Sequence, residues 1–380
     1  MADDDKRAFQ VVLIGGYGFF GQRLANRLAR MQGLHLILAG RDRGKADAMV
    51  ERLRHEGAAA SLEAAAIDID ATDFMERLAA LAPHAVVHTG GPFQGQDYRV
   101  AETCIAIGAH YVDLADGRRF VCDIIRLDAR AREAGVLVVS GASSVPALSG
   151  AAVTRLTLDM NEVESIDIGI NPGNKTERGL ATVRAILGYC GAPIGVRRGG
   201  KNAQVTGWLK PRRLSYPAPV GKRWLAECDV PDLELLPSRY GGIRDVGFSG
   251  GLELSFLHLG MSGLALLRRI GLVRDWARHA DWLKPLSDLF LPLGTAGGAM
   301  HVIVRGRAST DAVTTERRWY LVAVDGDGPF VPTLAAAALI RALHTGRIGA
   351  RGAMPCFELL ELDDILAEAS GLAITTLPPC

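Results

Sequence analysis

Much that would mark a specialised protein class is missing from this chain. Its 380 residues include only six cysteines. Cys104, Cys122, Cys190, Cys228, Cys356 and Cys380 form no C-x-x-C pair, which argues against a zinc knuckle or a dithiol redox centre. No metal site is expected, and the thiols are expected to be reduced, as in a cytoplasmic protein. Charge of neither sign dominates, and a net charge of +1 gives no field to attract nucleic acid. The opening MADDDKRAF lacks the basic and apolar regions of a signal peptide. Long apolar runs are absent too. The stretch from Leu252 to Leu267 is broken by Glu253 and His258, and it is shorter than the roughly 20 residues that span a bilayer. Several catalytic signatures are also missing. Tyr98, Tyr111, Tyr189 and Tyr240 are followed four positions on by Glu102, Ala115, Pro193 and Arg244, so the Tyr-x-x-x-Lys pair of short-chain dehydrogenases is lacking. Neither H-E-x-x-H nor G-x-S-x-G occurs, which leaves zinc proteases and serine esterases without local support.

What remains is a chain that is 48% hydrophobic and long enough for two cores. From Phe9 to about Ser144, brief aliphatic runs alternate with segments of helical period, the pattern of parallel strands joined by crossover helices. The strands are placed at Gln10 to Ile14, His35 to Ala39, Ala65 to Ile69, Ala85 to Thr89, Tyr111 to Leu114 and Val136 to Ser140. These runs are apolar throughout, as strands covered on both faces should be. The expected fold is α/β, a Rossmann-type doubly wound parallel sheet over residues 1–146, followed by a mixed α+β domain over 147–332. There, Glu162 to Ile170, Ala299 to Arg307 and Arg317 to Val324 read as longer strands, the last two as a hairpin. Dense Gly and Pro between Gly191 and Gly251 predict long loops. Residues 333–380 are expected to supply helices, Thr333 to His344 and Leu362 to Ala369, able to pack back on the first domain.

The first strand runs into Gly15-Gly16-Tyr17-Gly18-Phe19-Phe20-Gly21, and helical period resumes at Gln22. Gly16, Gly18 and Gly21 satisfy G-x-G-x-x-G, while Gly15, Gly18 and Gly21 satisfy G-x-x-G-x-x-G. Either register lays bare backbone against a pyrophosphate at a helix N-terminus. Arg41 follows Gly21 by 20 residues, where an NAD site would place an acid. A guanidinium there suits a 2′-phosphate, with Arg43 and Lys45 adding charge, so NADP(H) is preferred over NAD(H). Asp42 has two readings, a ribose ligand or the N-cap of the next helix, and the cap is preferred. Asp68 is placed either near the adenine or as a plain strand-end residue.

The segment His88-Thr89-Gly90-Gly91-Pro92-Phe93-Gln94-Gly95, then His110-Tyr111-Val112-Asp113-Leu114-Ala115-Asp116-Gly117, resembles the saccharopine dehydrogenase-like family. Ala39-Gly40-Arg41 and Ser140-Gly141-Ala142-Ser143-Ser144-Val145-Pro146 agree with it. The likeness covers about residues 10 to 150. It implies NADP(H) binding, a second domain that houses the substrate, and a homodimer. By the family's pattern, Thr89, Gly90, Gly91, Pro92 and Phe93 line the nicotinamide side, and ligands of open parallel sheets do bind at strand carboxyl ends.

Hydride reduction needs a group to move a proton. Asp116 is the first candidate, followed by Asp113 and His88, with Tyr98 and Ser144 as further residues beside the substrate. Lys175 and Arg178 stand after a turn in the second domain, where they could clamp a carboxylate or simply be solvated. Between Leu252 and Leu293, leucines, Trp276 and Trp282 interleave with Arg268, Arg269, Arg274, Arg278 and Lys284. That pattern fits a covered helix pair or dimer interface, and it also fits a peripheral contact with a membrane. The expected activity is reduction of a C=N or conjugated C=C bond of a small or lipophilic substrate. The alternatives are a non-catalytic NADP(H) sensor and a membrane-associated lipid or acyl reductase.

Overall fold

The computed structural model describes residues 8–308 and 313–377; Cys380 and most of the acidic opening segment lie outside them. The first layer runs β1 (Phe9–Ile14), α1 (Gly21–Leu28), β2 (Leu34–Gly40), α2 (Arg43–His55), β3 (Ser61–Ala66), α3 (Phe74–Ala80), β4 (Ala85–His88), α4 (Arg99–Ala106), β5 (His110–Asp113), α5 (Arg118–Cys122), α6 (Asp128–Glu133) and β6 (Leu137–Ser140). These strands pair in parallel in the order β6-β5-β4-β1-β2-β3. The alternation along each strand explains the two coats of helices. Val11, Leu13, Leu36 and Leu38 bury against one core with Leu24 of α1 and Met49 of α2, while Val12, Ile14, Ile37 and Val86 bury against another with Leu78 of α3 and Val100 of α4. Each such side chain contributes roughly 1.5–3 kcal/mol of transfer free energy, which fixes the sheet between its helices.

The second layer follows as α7 (Ser149–Thr157), β7 (Met160–Asn171), α8 (Leu180–Tyr189), β8 (Pro193–Arg198), β9 (Lys201–Thr206), β10 (Arg212–Ser215), β11 (Lys222–Glu227), α9 (Asp232–Arg239), β12 (Asp245–Gly250), α10 (Ser255–Arg269), α11 (Ala280–Asp288), β13 (Gly298–Ala308) and β14 (Thr315–Ala323). The chain ends with α12 (Val331–His344), β15 (Gly352–Pro355), α13 (Leu362–Ala367) and β16 (Ile374–Leu377). The second sheet is mixed: β12 pairs with β7 in parallel, and β13 pairs antiparallel with both β7 and β14.

Three expectations need correction. The third strand is Ser61–Ala66 rather than Ala65 to Ile69. It is an edge strand whose alternation of buried and exposed residues is set by pairing His35 with Ser61 and Gly40 with Ala66, and the chain leaves the sheet in a turn where Asp68 accepts from the Asp70 N–H. The region from Gly191 to Gly251 holds β8 to β12 and α9 instead of long loops, because its polar antiparallel strands expose one face and so look like loops in sequence. The C-terminal segment supplies more than helices. β15 adds to the first sheet beside β6, and β16 adds to the second beside β14.

Candidate nucleotide and substrate site

The order of strands reverses direction between β1 and β4, and the crevice at their carboxyl ends is where a parallel sheet receives a dinucleotide. Three glycines shape the first wall of it. Gly15 takes φ +80°, and a Cβ there would lie 2.7 Å from Thr89 Oγ1. A Cβ on Gly18 would sit 3.0 Å from the Gly15 carbonyl, and one on Gly21 would collide with that same carbonyl. Tight turn, bare backbone and close helix packing therefore fall on Gly15, Gly18 and Gly21. Gly16 does not adopt the left-handed backbone, and a Cβ there would lie 3.1 Å from both the Leu13 carbonyl and the Leu38 side chain. The N–H groups of Tyr17, Phe19 and Phe20 find no backbone acceptor among the described residues. At the mouth of α1 they form a fitting cradle for a diphosphate.

The adenosine end lies at the tip of β2. Tyr17 crosses Gly40 closely, a Cβ there meeting its ring at 2.6 Å, and its hydroxyl accepts from the Asp42 N–H at 2.9 Å. Asp42 caps α2 by accepting from the Lys45 N–H at 3.0 Å, as its sequence position favours. Arg43 pairs with Asp47, and Lys45 with Asp42. Arg41 is exposed and has no ion pair or hydrogen bond among the described residues, so its guanidinium is available. Asp68 is half-buried just past β3. Phe19 takes a different place from the rest of its loop. Arg23 lies 4.1 Å over its ring, and Gly179 at the start of α8 packs on it, so Phe19 touches the second domain.

The second wall is the loop after β4. Thr89 ties it to β1 by donating from N to the Ile14 carbonyl at 3.0 Å and from Oγ1 to the same carbonyl at 2.9 Å. Gly90, Gly91 and Pro92 follow on the surface side, and Phe93 turns inward against Phe120. Gln96 holds the turn, donating to the carbonyls of Gly90 and Pro92, both at 2.8 Å.

Among the proton-transfer candidates the structure draws a sharp division. His88 is buried, touches Gln96 Oε1 at 3.3 Å and packs edge-on to Phe93; burial lowers its pKa to about 4, so it is a neutral core histidine. Asp113 is fully enclosed. Its Oδ1 accepts from the N–H groups of Ala115 and Gly141 and from Ser140 Oγ, at 2.8 to 3.0 Å, which ties the ends of β5 and β6 together. Burial raises its pKa to about 6 against those hydrogen bonds. Tyr98 donates to the Phe120 carbonyl at 2.8 Å, and burial pushes its phenol to about 12. None of the three opens on the crevice as a free acid or base.

Asp116 is placed differently. It is half-buried beyond β5, beside the Thr89 to Phe93 loop, and its Oδ1 accepts from Gln94 Nε2 at 3.2 Å. Burial raises its pKa, opposed by that hydrogen bond. Sequence reasoning missed two neighbours. Gln94 lies inside the glycine-rich segment, where its hydrogen bond to an aspartate 22 residues away leaves no local trace. Tyr189, at the end of α8, lies near Cys228 and Asp116, and burial followed by those two groups holds its phenol well above the usual range. It comes from the other domain and only the fold brings it in.

Ser144 is buried in the turn after β6. Lys175 is exposed, its N–H donating to the Thr295 carbonyl at 2.9 Å. Arg178 donates to Asn174 Oδ1 at 2.7 Å, and burial lowers its pKa. Arg178 is thus held by Asn174, while Lys175 is exposed.

Comparison with known proteins agrees with this fold. Residues 11–139 match the family described as the saccharopine dehydrogenase NADP binding domain. A Mycobacterium tuberculosis protein provisionally assigned as a trans-acting enoyl reductase is 26% identical over 323 residues, covering 80% of this chain and 72% of its own. A saccharopine dehydrogenase-like oxidoreductase of Rattus norvegicus is 28% identical over 185 residues, 44% of this chain and 43% of its own. Among solved structures, a saccharopine dehydrogenase (L-Glu forming) of Saccharomyces cerevisiae superposes with a TM-score of 0.69 at 14% identity, over 98% of this chain and 99% of that one. The two share a fold.

Proposed function

We propose, from the match of residues 11–139 to the saccharopine dehydrogenase NADP binding domain family, that the chain is an NADP(H)-dependent oxidoreductase that reduces a conjugated C=C bond or a C=N bond. The observation that carries the reading is one juxtaposition. At the β1/β4 crevice, a closely packed glycine cradle stands between Arg41, unpaired among the described residues, at one end and the half-buried Asp116 at the other.

When bound, the reduced nicotinamide supplies hydride to the more electrophilic atom of the double bond. The chain's own residues do the rest. Gly15, Gly18 and Gly21 admit the diphosphate, and Arg41 pairs with the 2′-phosphate, which favours NADP(H) over NAD(H). Asp116, kept protonated more readily by burial, delivers a proton to the atom that gains the electron pair, or to the oxygen conjugated with it, and Gln94 holds its carboxyl in place. The contact of Phe19 with Gly179 covers the loop from the side of the second domain.

Between the two bonds, the C=C reading has more support. A substrate such as an amino-dicarboxylate would need free cations in the cleft, yet Arg178 is bonded to Asn174, Lys175 points to solvent, and Arg118 is held by Asp229 and Glu234. The relative matched over most of the chain bears an enoyl reductase name.

The test is NADPH oxidation followed against enoyl thioesters and against amino acid plus keto acid mixtures, with calorimetry of both coenzymes. Wild type should turn over an enoyl substrate and bind NADPH more tightly than NADH. Arg41→Ala should erase that preference. Asp116→Asn should lower kcat by about 10²–10⁴-fold while leaving NADPH affinity intact. Coenzyme binding without turnover of any substrate would instead indicate a sensor.

A further inference from the structure

The helices after β12 leave an apolar face uncovered. Phe256, Leu259 and Leu266 on α10 and Ile270 just after it are all exposed, Ile270 to 60%, and at 100° per residue they fall with Gly263 and Leu267 within an arc of about 100°. The opposite side of the same helix buries His258 and Ala265, so the orientation of the stripe is fixed by the fold. α11 repeats the pattern with Trp282, Leu286 and Leu289, the last 72% exposed, opposite buried Ala280. The chain on either side of α11 touches α10, through Phe290 and Phe256, with ring centroids 5.0 Å apart, and through Trp276 Nε1 donating to the Leu264 carbonyl at 2.8 Å. A contiguous exposed face of large apolar residues implies a partner.

Charge identifies the partner. Two of the three acids from α10 to α11 are paired with cations, Asp281 with Arg184 at 2.8 Å and Asp288 with Lys284 at 2.5 Å, and Asp275 accepts from the Ala277 N–H at 2.9 Å. Arg268 is also engaged, donating to the carbonyls of Gly188 and Cys190. Arg274 and Arg278 have no partner among the described residues, and Arg269 reaches only Thr206 Oγ1 at 3.5 Å. Arg269 and Arg274 moreover face a cleft of about 610 Å³ under the end of α10, walled by the strand start at Pro193 and by Gln204 to Thr206. An apolar stripe whose end meets unpaired arginines around a concavity matches acyl chains beside an anionic phosphate headgroup. A second copy of the chain fits less well. A two-fold contact that brought these arginines together would offer them, from the two helices and their connection, only Asp275 as an acid without a cation among the described residues.

We propose that α10 and α11 dock this protein on an anionic phospholipid surface, the stripe entering the headgroup boundary and Arg269 and Arg274 receiving a lipid phosphate. No helix among the described residues is long and apolar enough to cross a membrane. This inference does not depend on which bond the enzyme reduces.

Flotation of the full chain with vesicles of phosphatidylcholine alone, or of phosphatidylcholine with phosphatidylglycerol, tests it. Wild type should float with the anionic vesicles and lose that association as salt rises. The double variant Leu266→Glu, Ile270→Glu should bind at least about tenfold more weakly, and Arg269→Gln with Arg274→Gln should bring anionic and neutral vesicles to the same weak binding. All variants should keep wild-type NADPH affinity, which confirms that they fold. Failure of wild type to float with anionic vesicles at low salt overturns the proposal. So does a wild-type dimer in sedimentation velocity that the leucine and isoleucine substitutions dissociate, since the face would then be covered by a second copy.

Discussion

At the scale of single residues, burial decides which carboxyl groups serve the fold and which serve the site. Asp113 and Asp232 are both wholly enclosed, and burial raises each pKa to about 6. Asp232 accepts from Ser149 Oγ at 2.5 Å across the α7/α9 contact, while its second oxygen has no partner. Because its folded-state pKa stands above the unfolded value of 3.8, its contribution to stability is complete at acid pH below that value. It is lost as pH rises through about 6, amounting to on the order of 3 kcal/mol. Asp232→Asn keeps an acceptor for Ser149 and removes the titration. Thermal midpoints taken at about pH 4 and about pH 7 should therefore show wild type losing ground to the variant as pH rises; parallel behaviour of the two proteins would mean that Asp232 ionises without cost. His88 has the opposite sign. Its pKa is lowered to about 4, so its contribution is full above the ordinary histidine value and fades as acid protonates the buried ring, which is why the variant, rather than wild type alone, isolates Asp232.

At the scale of elements, what could be read in advance depended on whether a segment's pattern was local. β1, β2, β4 and β7 are apolar or alternating runs whose burial is written in their own residues, and the glycine loop is legible because strand, turn and helix follow in order. β15 is the contrary case. Gly352 to Pro355 has no strand signature, with glycine at one end and proline at the other, and it becomes a strand only because β6 offers an unpaired edge. Its entry is made by Gly352 at φ +113°, where a Cβ would strike Asp128 Oδ1, the same atom that accepts from the Ala353 N–H at 2.9 Å. Gly352→Ala should loosen this edge, costing about 1–3 kcal/mol, with faster hydrogen exchange at the β6 amides than at those of β2. Equal protection on both strands would show that β15 is dispensable. The site divides along the same line: Arg41 and the glycines were visible from spacing, whereas the enclosure of His88, Asp113 and Tyr98, and the approach of Gln94 and Tyr189 to Asp116, arise from contacts between segments remote in sequence.

At the scale of the whole molecule, the two sheets are tied by chain path and by a partly buried cation. After β14 the chain returns to the first layer, where α12 packs on α1, then adds β15 to the first sheet and β16 to the second. Neither sheet is complete without the C-terminal segment, so heating should unfold both together. Arg118 of α5 forms the polar tie. It donates to Glu234 Oε2 at 3.1 Å, Asp229 Oδ1 at 3.3 Å and the Gly195 carbonyl at 2.9 Å, all in the second layer, while its side chain is only 18% exposed. It also stands two residues after Asp116, so it anchors the strand-end loop that carries the proposed acid to the opposite wall of the cleft. Removing it leaves two half-buried carboxylates facing each other, a cost of about 1–3 kcal/mol. Arg118→Ala should accordingly lower the thermal midpoint and reduce kcat/KM toward an enoyl substrate. NADPH affinity should stay unchanged, because the glycine cradle and Arg41 lie wholly in the first layer. If calorimetry shows coenzyme binding weakened as much as turnover, the arginine is holding the nucleotide domain itself together and the cleft does not depend on this tie.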